Sequence, residues 1–317
     1  DIMTREAIRN TIKVMMAVGG STNSVIHMCA IAHELGYDPD EIMNEFDQIS
    51  AEIPHIASVN PASYIYDCED FYKAGGIPEV MKKLREHLDL SVMTVTGKTM
   101  EENINTYINL YPDNQDLIRD MDNPHTTLGG IAIMRGNLAP DTGVSKPAAI
   151  HESVRRFTGK AVCFDSQEDC VKALEQCRIK KGDVVVVRYE GPKGGPGMRE
   201  MYAPLKMLNG QGLALDTALI TDGRVSGTNN GCYVVHVSPE AAVGGPIALV
   251  EDGDEITIDV IEKKLELHVS DEELAHRREN WKFTPKPVGG FLARYAALAT
   301  SGSRGCVLDW KGLCKHE

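Results

Sequence analysis

The sequence predicts an α/β fold class in two parts: an incomplete α/β unit over residues 1–123 and a β-rich domain over residues 128–308, with residues 309–317 as a tail. Two observations carry this. Early apolar residues recur at helical spacing, whereas from Gly130 onward short apolar runs alternate with Gly and Pro. A length of 317 residues also exceeds one comfortable hydrophobic core.

In the first part, Ile8, Ile12, Met15 and Met16 mark the buried face of an opening helix. Chains seldom begin this deep in a core element, so the sequence reads as a fragment or one half of a split protein. GGSTN (19–23) then separates the opening helix from a second one reaching Ala32, and Asp40–Asp47 carries acidic helix signals. In FYKAGGIPEVMKKLREHL (71–88), Gly75 and Gly76 precede Pro78, which fits a helix with proline in its first turn. The second part begins after NPHTTLGG with IAIM, DVVVVRYE, TALITD, CYVVHVS and PIALVED. DEITIDVIEKKLELHVS (254–270) alternates over Ile256, Ile258 and Val260, then over Leu265, Leu267 and Val269, and predicts a β-hairpin with one wet face. A barrel or a sandwich accommodates these strands. FLARYAALATSGSRGCVL (291–308) predicts a helix and a segment that packs back.

The formal net charge of −13 argues against a nucleic-acid partner, whose phosphates are met by clustered Lys and Arg. No apolar run approaches the roughly 18–20 residues of a membrane span, and a cytoplasmic protein without membrane partners is expected. The eight cysteines include no C-x-x-C pair and are expected to be reduced thiols. Cys163, Cys170 and Cys177 recur every seven residues, which would set them on one face of a single continuous helix as a core stripe.

Four glycine-rich stretches are candidates for chemistry. In GGSTN, residues Ser21, Thr22 and Asn23 stand where free backbone N–H groups at a helix start can meet a carboxylate or phosphate, and helix capping is the plain alternative. VTGKT (95–99) lacks the first glycine of a phosphate loop, since Val92 holds that position, so Lys98 is expected to be solvated at a turn. EGPKGGPGMREM (190–201) places Glu200 on a dense loop after a strand, where a carboxylate can serve a hard cation such as Mg²⁺. ALITDGRVSGTNNG (218–231) does not match the G-x-S-x-G elbow of serine hydrolases. Ser226 is either a turn residue or a base whose alkoxide is stabilised by a cation or by the N–H groups of Gly227 and Thr228.

Taken in order, GGSTNSVIH, FYKAGGIPEVM, TVTGKTMEEN, GGIAIMRGNLAPDTGVSK, VVRYEGPKGGPGMREM, LITDGRVSG, HVSPEAAVGGPIALVEDGD and LARYAALATSGSRGCVL resemble the dihydroxyacid dehydratase and 6-phosphogluconate dehydratase family over nearly the whole chain, and the dihydroxyacid dehydratases more closely. The resemblance implies a barrel of the swivel type and a lyase that converts a 2,3-dihydroxy acid into a 2-keto acid. In the dihydroxyacid dehydratases this serves branched-chain amino-acid (isoleucine and valine) biosynthesis. It further implies an iron–sulfur cluster, 2Fe-2S or 4Fe-4S, acting as Lewis acid on the departing 3-hydroxyl, and a Mg²⁺ ion polarising the substrate carboxylate and 2-hydroxyl. By resemblance Ser226 is the base that removes the C2 proton, Glu200 a magnesium ligand, and Ser21, Thr22, Asn23, Gly227 and Thr228 substrate-binding residues.

The family's cluster cysteines lie in an N-terminal portion whose motifs are absent here. The resemblance therefore implies cluster ligands outside this chain, a missing N-terminal portion as partner, a homodimer or tetramer, and no turnover by this chain alone. A sugar-acid or 6-phosphogluconate substrate remains open, as does a non-catalytic binding or assembly module lacking the iron–sulfur half.

Overall fold

The computed structural model describes residues 1–60, 62–63, 65–109, 116–226 and 230–310. Ten helices are seen among them: α1 (Arg5–Val18), α2 (Asn23–Glu34), α3 (Pro39–Glu52), α4 (Cys68–Lys73), α5 (Gly76–Lys83), α6 (Met100–Thr106), α7 (Gln167–Glu175), α8 (Ala203–Gly210), α9 (Asp271–Asn280) and α10 (Gly290–Leu298). The strands are β1 (Ala132–Gly136), β2 (Ala139–Ser145), β3 (Arg156–Phe164), β4 (Asp183–Val187), β5 (Glu200–Met201), β6 (Ala218–Thr221), β7 (Arg224–Val225), β8 (Cys232–Ser238), β9 (Glu255–Asp259) and β10 (Lys264–Leu267). Two compact units are formed, one from Asp1–Ser21, Asn44–Ala132 and Lys146–Ala149, the other from Thr22–Met43, Ile133–Ser145 and Ile150–Glu317.

The first unit is helical. α1 buries Ile8, Ile12 and Met16, the face its periodicity predicts. Thr4 caps its start by accepting from the Ala7 N–H at 3.2 Å. Asn10, buried on the same helix, exchanges two hydrogen bonds with the backbone of Asp89, at 2.8 and 2.9 Å. A polar residue is tolerated in that core because both ends of its amide are used. Capping boxes at Asp67 and Thr99 start α4 and α6. Between the helices, the described residues pair only as isolated bridges, such as His55 with Thr126 and Ala57 with Ile118.

The second unit is built on a closed eight-stranded barrel in the order β1-β10-β9-β3-β4-β6-β8-β2. Its middle runs parallel, with β3, β4, β6 and β8 in succession. Val184–Val187 of β4 are wholly buried, as a continuous β-branched run demands of a central parallel strand covered on both faces. β9 and β10 form the expected hairpin, with Leu265 opposite Ile258 and Leu267 opposite Ile256. Closure removes the exposed edges that so many short strands would otherwise present.

Outside the barrel, the turn Gly302–Arg304 packs on α2. A Cβ on Gly305 would stand 2.5 Å from the Ala30 nitrogen, so this close approach requires glycine. Arg304 adds ion pairs to Asp38 and Asp40.

The seven-residue cysteine spacing proves accidental. Cys163 lies on β3, Cys170 on α7, and Cys177 follows that helix with a left-handed φ of 52°. Asp165 and Ser166 end the strand and cap the helix, which breaks the chain direction between the first two thiols.

Candidate functional site

A two-stranded parallel ribbon of β5 and β7 carries the two residues singled out by resemblance. Its register sets Glu200 opposite Arg224 and Met201 opposite Val225. Beyond the last pair, the Ser226 N–H donates to the Met201 carbonyl at 2.9 Å. Side chains alternate along strands, so Met201 and Val225 fill the buried face and Glu200 and Arg224 the other. The ribbon thus brings the Ser226 backbone to the residue that follows Glu200.

The second unit adds a third residue. The Asn23 side-chain amide, at the first turn of α2, donates to the Glu200 carboxylate. Thr22 stands at the N-cap, yet its backbone is helical and its side chain makes no capping bond, so the plain capping reading of GGSTN does not describe it. Ser21 belongs to the first unit. Gly227 and Thr228 lie outside the described residues.

The glycine-rich loop before Glu200 is folded around buried acids. Asp222, at the end of β6, accepts from the N–H groups of Tyr189, Glu190 and Ala241 at 3.1, 3.0 and 2.9 Å. Glu240 accepts from Lys193 and Gly194 at 2.8–3.0 Å. Glu190 accepts from the Gln167 N–H at 2.8 Å and faces Lys286 and Arg199 at 3.2 and 3.4 Å. Burial pushes Asp222 up to about 6, against the pull of its three N–H donors. Burial, together with the nearby Asp222 charge, pushes Glu240 up to about 7.

This explains the composition of EGPKGGPG. A Cβ on Gly191 would stand 2.7 Å from a Glu240 oxygen, and one on Gly195 would stand 2.9 Å from a Glu190 oxygen. Lys193 reaches the carbonyls of Ala296 and Ala297 at 3.4 Å, a cation at the negative end of α10. Arg224 Nε donates to the Met198 carbonyl at 2.6 Å and so holds the turn two residues before Glu200.

Residue typing alone did not identify the buried acids. Glu190, Asp222 and Glu240 look like ordinary charged residues in sequence. The usable signal is an acid placed directly after an apolar strand and beside glycines, where backbone N–H groups lack ladder partners.

Among the described residues, no three His, Cys, Asp or Glu side chains converge as a metal-holding group. For Mg²⁺ the fit is that of a single ligand: Glu200 offers an exposed carboxylate oriented by an amide, one of the one or two carboxylates such an ion usually takes from protein. Among the described residues no group of thiols converges as a cluster site. Burial pushes Cys29, Cys163, Cys170 and Cys306 up to about 12 and raises Cys232 as well, an environment suited to core thiols.

The chain is a mixed helix-and-sheet protein whose closed barrel carries a glycine-rich loop folded around buried acids. Comparison with known families is specific. The family described as Dihydroxy-acid/6-phosphogluconate dehydratase matches through its N-terminal domain over residues 1–103 and its C-terminal domain over residues 116–306. This chain belongs to that family. It is 50% identical over 315 residues to a protein of Agathobacter rectalis named dihydroxy-acid dehydratase, covering 98% of this chain and 55% of the relative. Proteins of the same name from Clostridium beijerinckii and Moorella thermoacetica are 50% and 48% identical, each with 98% of this chain and 55% of the relative covered. The chain thus spans about half the length of these curated relatives. No helix among its described residues is long and apolar enough to cross a membrane.

Proposed function

We propose that this chain supplies the proton-abstracting part of a dihydroxyacid dehydratase, a hydro-lyase that turns a branched 2,3-dihydroxy acid into a 2-keto acid for branched-chain amino-acid synthesis. The observation that supports the reading is the bond from Asn23 to Glu200 beside the ribbon that ends at Ser226, three residues of one unit drawn from three of the motifs that resemble this family.

Ser226 takes the C2 proton as an alkoxide. The electrons of that C–H bond become the C2=C3 bond as the 3-hydroxyl departs, taking up a proton to leave as water. The enol so formed gains a proton at C3 and loses one from its 2-hydroxyl, giving the 2-keto acid. Mg²⁺, when bound, draws charge from the substrate carboxylate and 2-hydroxyl and acidifies C2–H. Glu200 is the residue here that would hold it, with Asn23 fixing which carboxylate oxygen is presented. The cluster ligands are taken to lie outside this chain, so departure of the 3-hydroxyl is not assigned to any of its residues. In this reading the working enzyme joins the chain to the N-terminal portion of the same protein, as a cytoplasmic homodimer or tetramer, and the chain alone has no turnover.

The test is a chimera in which this chain replaces the matching region of the Agathobacter rectalis relative. Formation of 2-keto acid from a branched dihydroxy acid is expected, and Ser226→Ala should lower kcat about 10²–10⁴-fold, the usual worth of a positioned base. A well-folded chimera that consumes only a sugar acid would move the substrate to the alternative class. One inert toward both would favour a binding or assembly module.

A further inference from the structure

His236 combines three costly features. It lies on β8 where the pairing with β2 slips: Val144 faces Val235 and Thr142 faces Ser238, so two residues on β8, His236 and Val237, stand against one on β2, Gly143. At this bulge its φ is +56°, a left-handed value that costs a non-glycine residue roughly 1–2 kcal/mol. It is 1% exposed, and neither ring nitrogen has a hydrogen-bond partner among the described residues.

Bulges beside active sites re-aim side chains, and buried polar groups without partners ask for a reason. The surroundings of the ring supply one. The His236 N–H donates to the Gly223 carbonyl at 3.0 Å, tying the bulge to the residue before Arg224. Burial, with the Arg224 charge and His27 nearby as lesser causes, pushes the imidazole down to about 3 and keeps it uncharged. A Cβ on Gly302 would stand 3.7 Å from Met198 Cε and 3.8 Å from His236 Cβ, so His236, Met198 and the turn at Gly302 close around one point. Arg224 ends there too, with Nε on the Met198 carbonyl.

We propose that His236 is the positioning residue of this site: its ring nitrogens, through a buried water shared with Arg224, fix the guanidinium that holds Met198, so that Glu200 meets Asn23 and lies beside Ser226. Such a water would need two to four polar partners, of which the two His236 nitrogens and Arg224 are the candidates. The inference rests on Glu200 and Ser226 being the working pair, but its test does not depend on turnover.

The test follows two sets of NMR signals in this chain: the ring nitrogens of His236 and the side-chain amide of Asn23. Between pH 5 and 8 the imidazole should hold one neutral tautomer, with both nitrogens at hydrogen-bonded shifts, and the Asn23 NH₂ protons should be well separated by their bond to Glu200. His236→Asn keeps a polar amide and tolerates the left-handed backbone, and should preserve the Asn23 signature. His236→Leu should collapse the two Asn23 protons toward the shifts of a free amide while the barrel signals persist. Should His236→Leu not fold, Arg224→Met probes the next link with the same readout and should also release the Asn23 amide. An averaged, solvent-like imidazole in the parent chain would overturn the proposal. So would a folded His236→Leu, or in its absence a folded Arg224→Met, with an unchanged Asn23 signature.

Discussion

Two glycine-bearing loops of this chain look alike in sequence and differ in what their glycines do. At VTGKT, a Cβ on Gly97 would meet nothing within 4 Å, so this glycine serves a turn with φ +74° and Lys98 is exposed. At EGPKGGPG, Gly191 and Gly195 lie where any side chain would strike a buried carboxylate. The first loop needs glycine for its dihedral angle, the second for space. A glycine that makes room for a buried acid says more about a site than one that merely turns the chain.

The sharpest way to break this contrast is Asp222→Ala. It leaves the N–H groups of Tyr189, Glu190 and Ala241 buried without an acceptor, at about 1–3 kcal/mol each. Denaturant unfolding should show a loss large enough to threaten the fold, whereas a change under about 1 kcal/mol would mean the loop does not depend on this carboxylate. A smaller effect separates the two loops directly. Gly191→Ala should cost about 1–3 kcal/mol from overpacking, and Gly97→Ala only about 1 kcal/mol from its dihedral strain. Equal costs would erase the distinction drawn between space and turn.

The smallest effect is a pH dependence. The folded pKa values of Asp222 and Glu240, about 6 and about 7, lie above the ordinary values of 3.8 and 4.5. Between those values the folded chain binds more protons than the unfolded one. The contribution of these groups is therefore complete below about pH 4 and is lost as pH rises through 6 and 7. Urea midpoints measured from pH 4.5 to 8 should fall across that window, and Glu240→Gln should flatten the upper part of the fall. A midpoint that rises steadily with pH would show that the acids gain more from their N–H donors than burial costs them.

Much of this was legible in the sequence because periodicity reports burial. The Ile8–Met16 face, the 254–270 hairpin and the helix with its returning segment at 291–308 each follow from one local pattern. Glu200 and Ser226 stand out as candidates from their glycine-rich loops, but their assignment as magnesium ligand and base comes only from family resemblance, since an exposed Glu and a serine near a turn are more often without chemistry. What local pattern could not give was the long-range pairing. The Asn23 bond to Glu200 links two motifs whose periodicities say nothing of each other. His236 was hidden for a further reason: CYVVHVS reads as an uninterrupted strand, and a bulge leaves no mark on alternation when every residue in it is buried.

The contact of Gly305 with the Ala30 nitrogen has a consequence for biosynthesis. α2 is synthesised well before the turn that seats it. At 5–20 residues per second, Asn23 waits on the order of half a minute before its helix is locked in place. During that interval the face of α2 that receives the turn is open to other partners, so a truncation before Gly305 would keep Asn23, Glu200 and Ser226 yet lack the piece that seats the helix bearing the first of them.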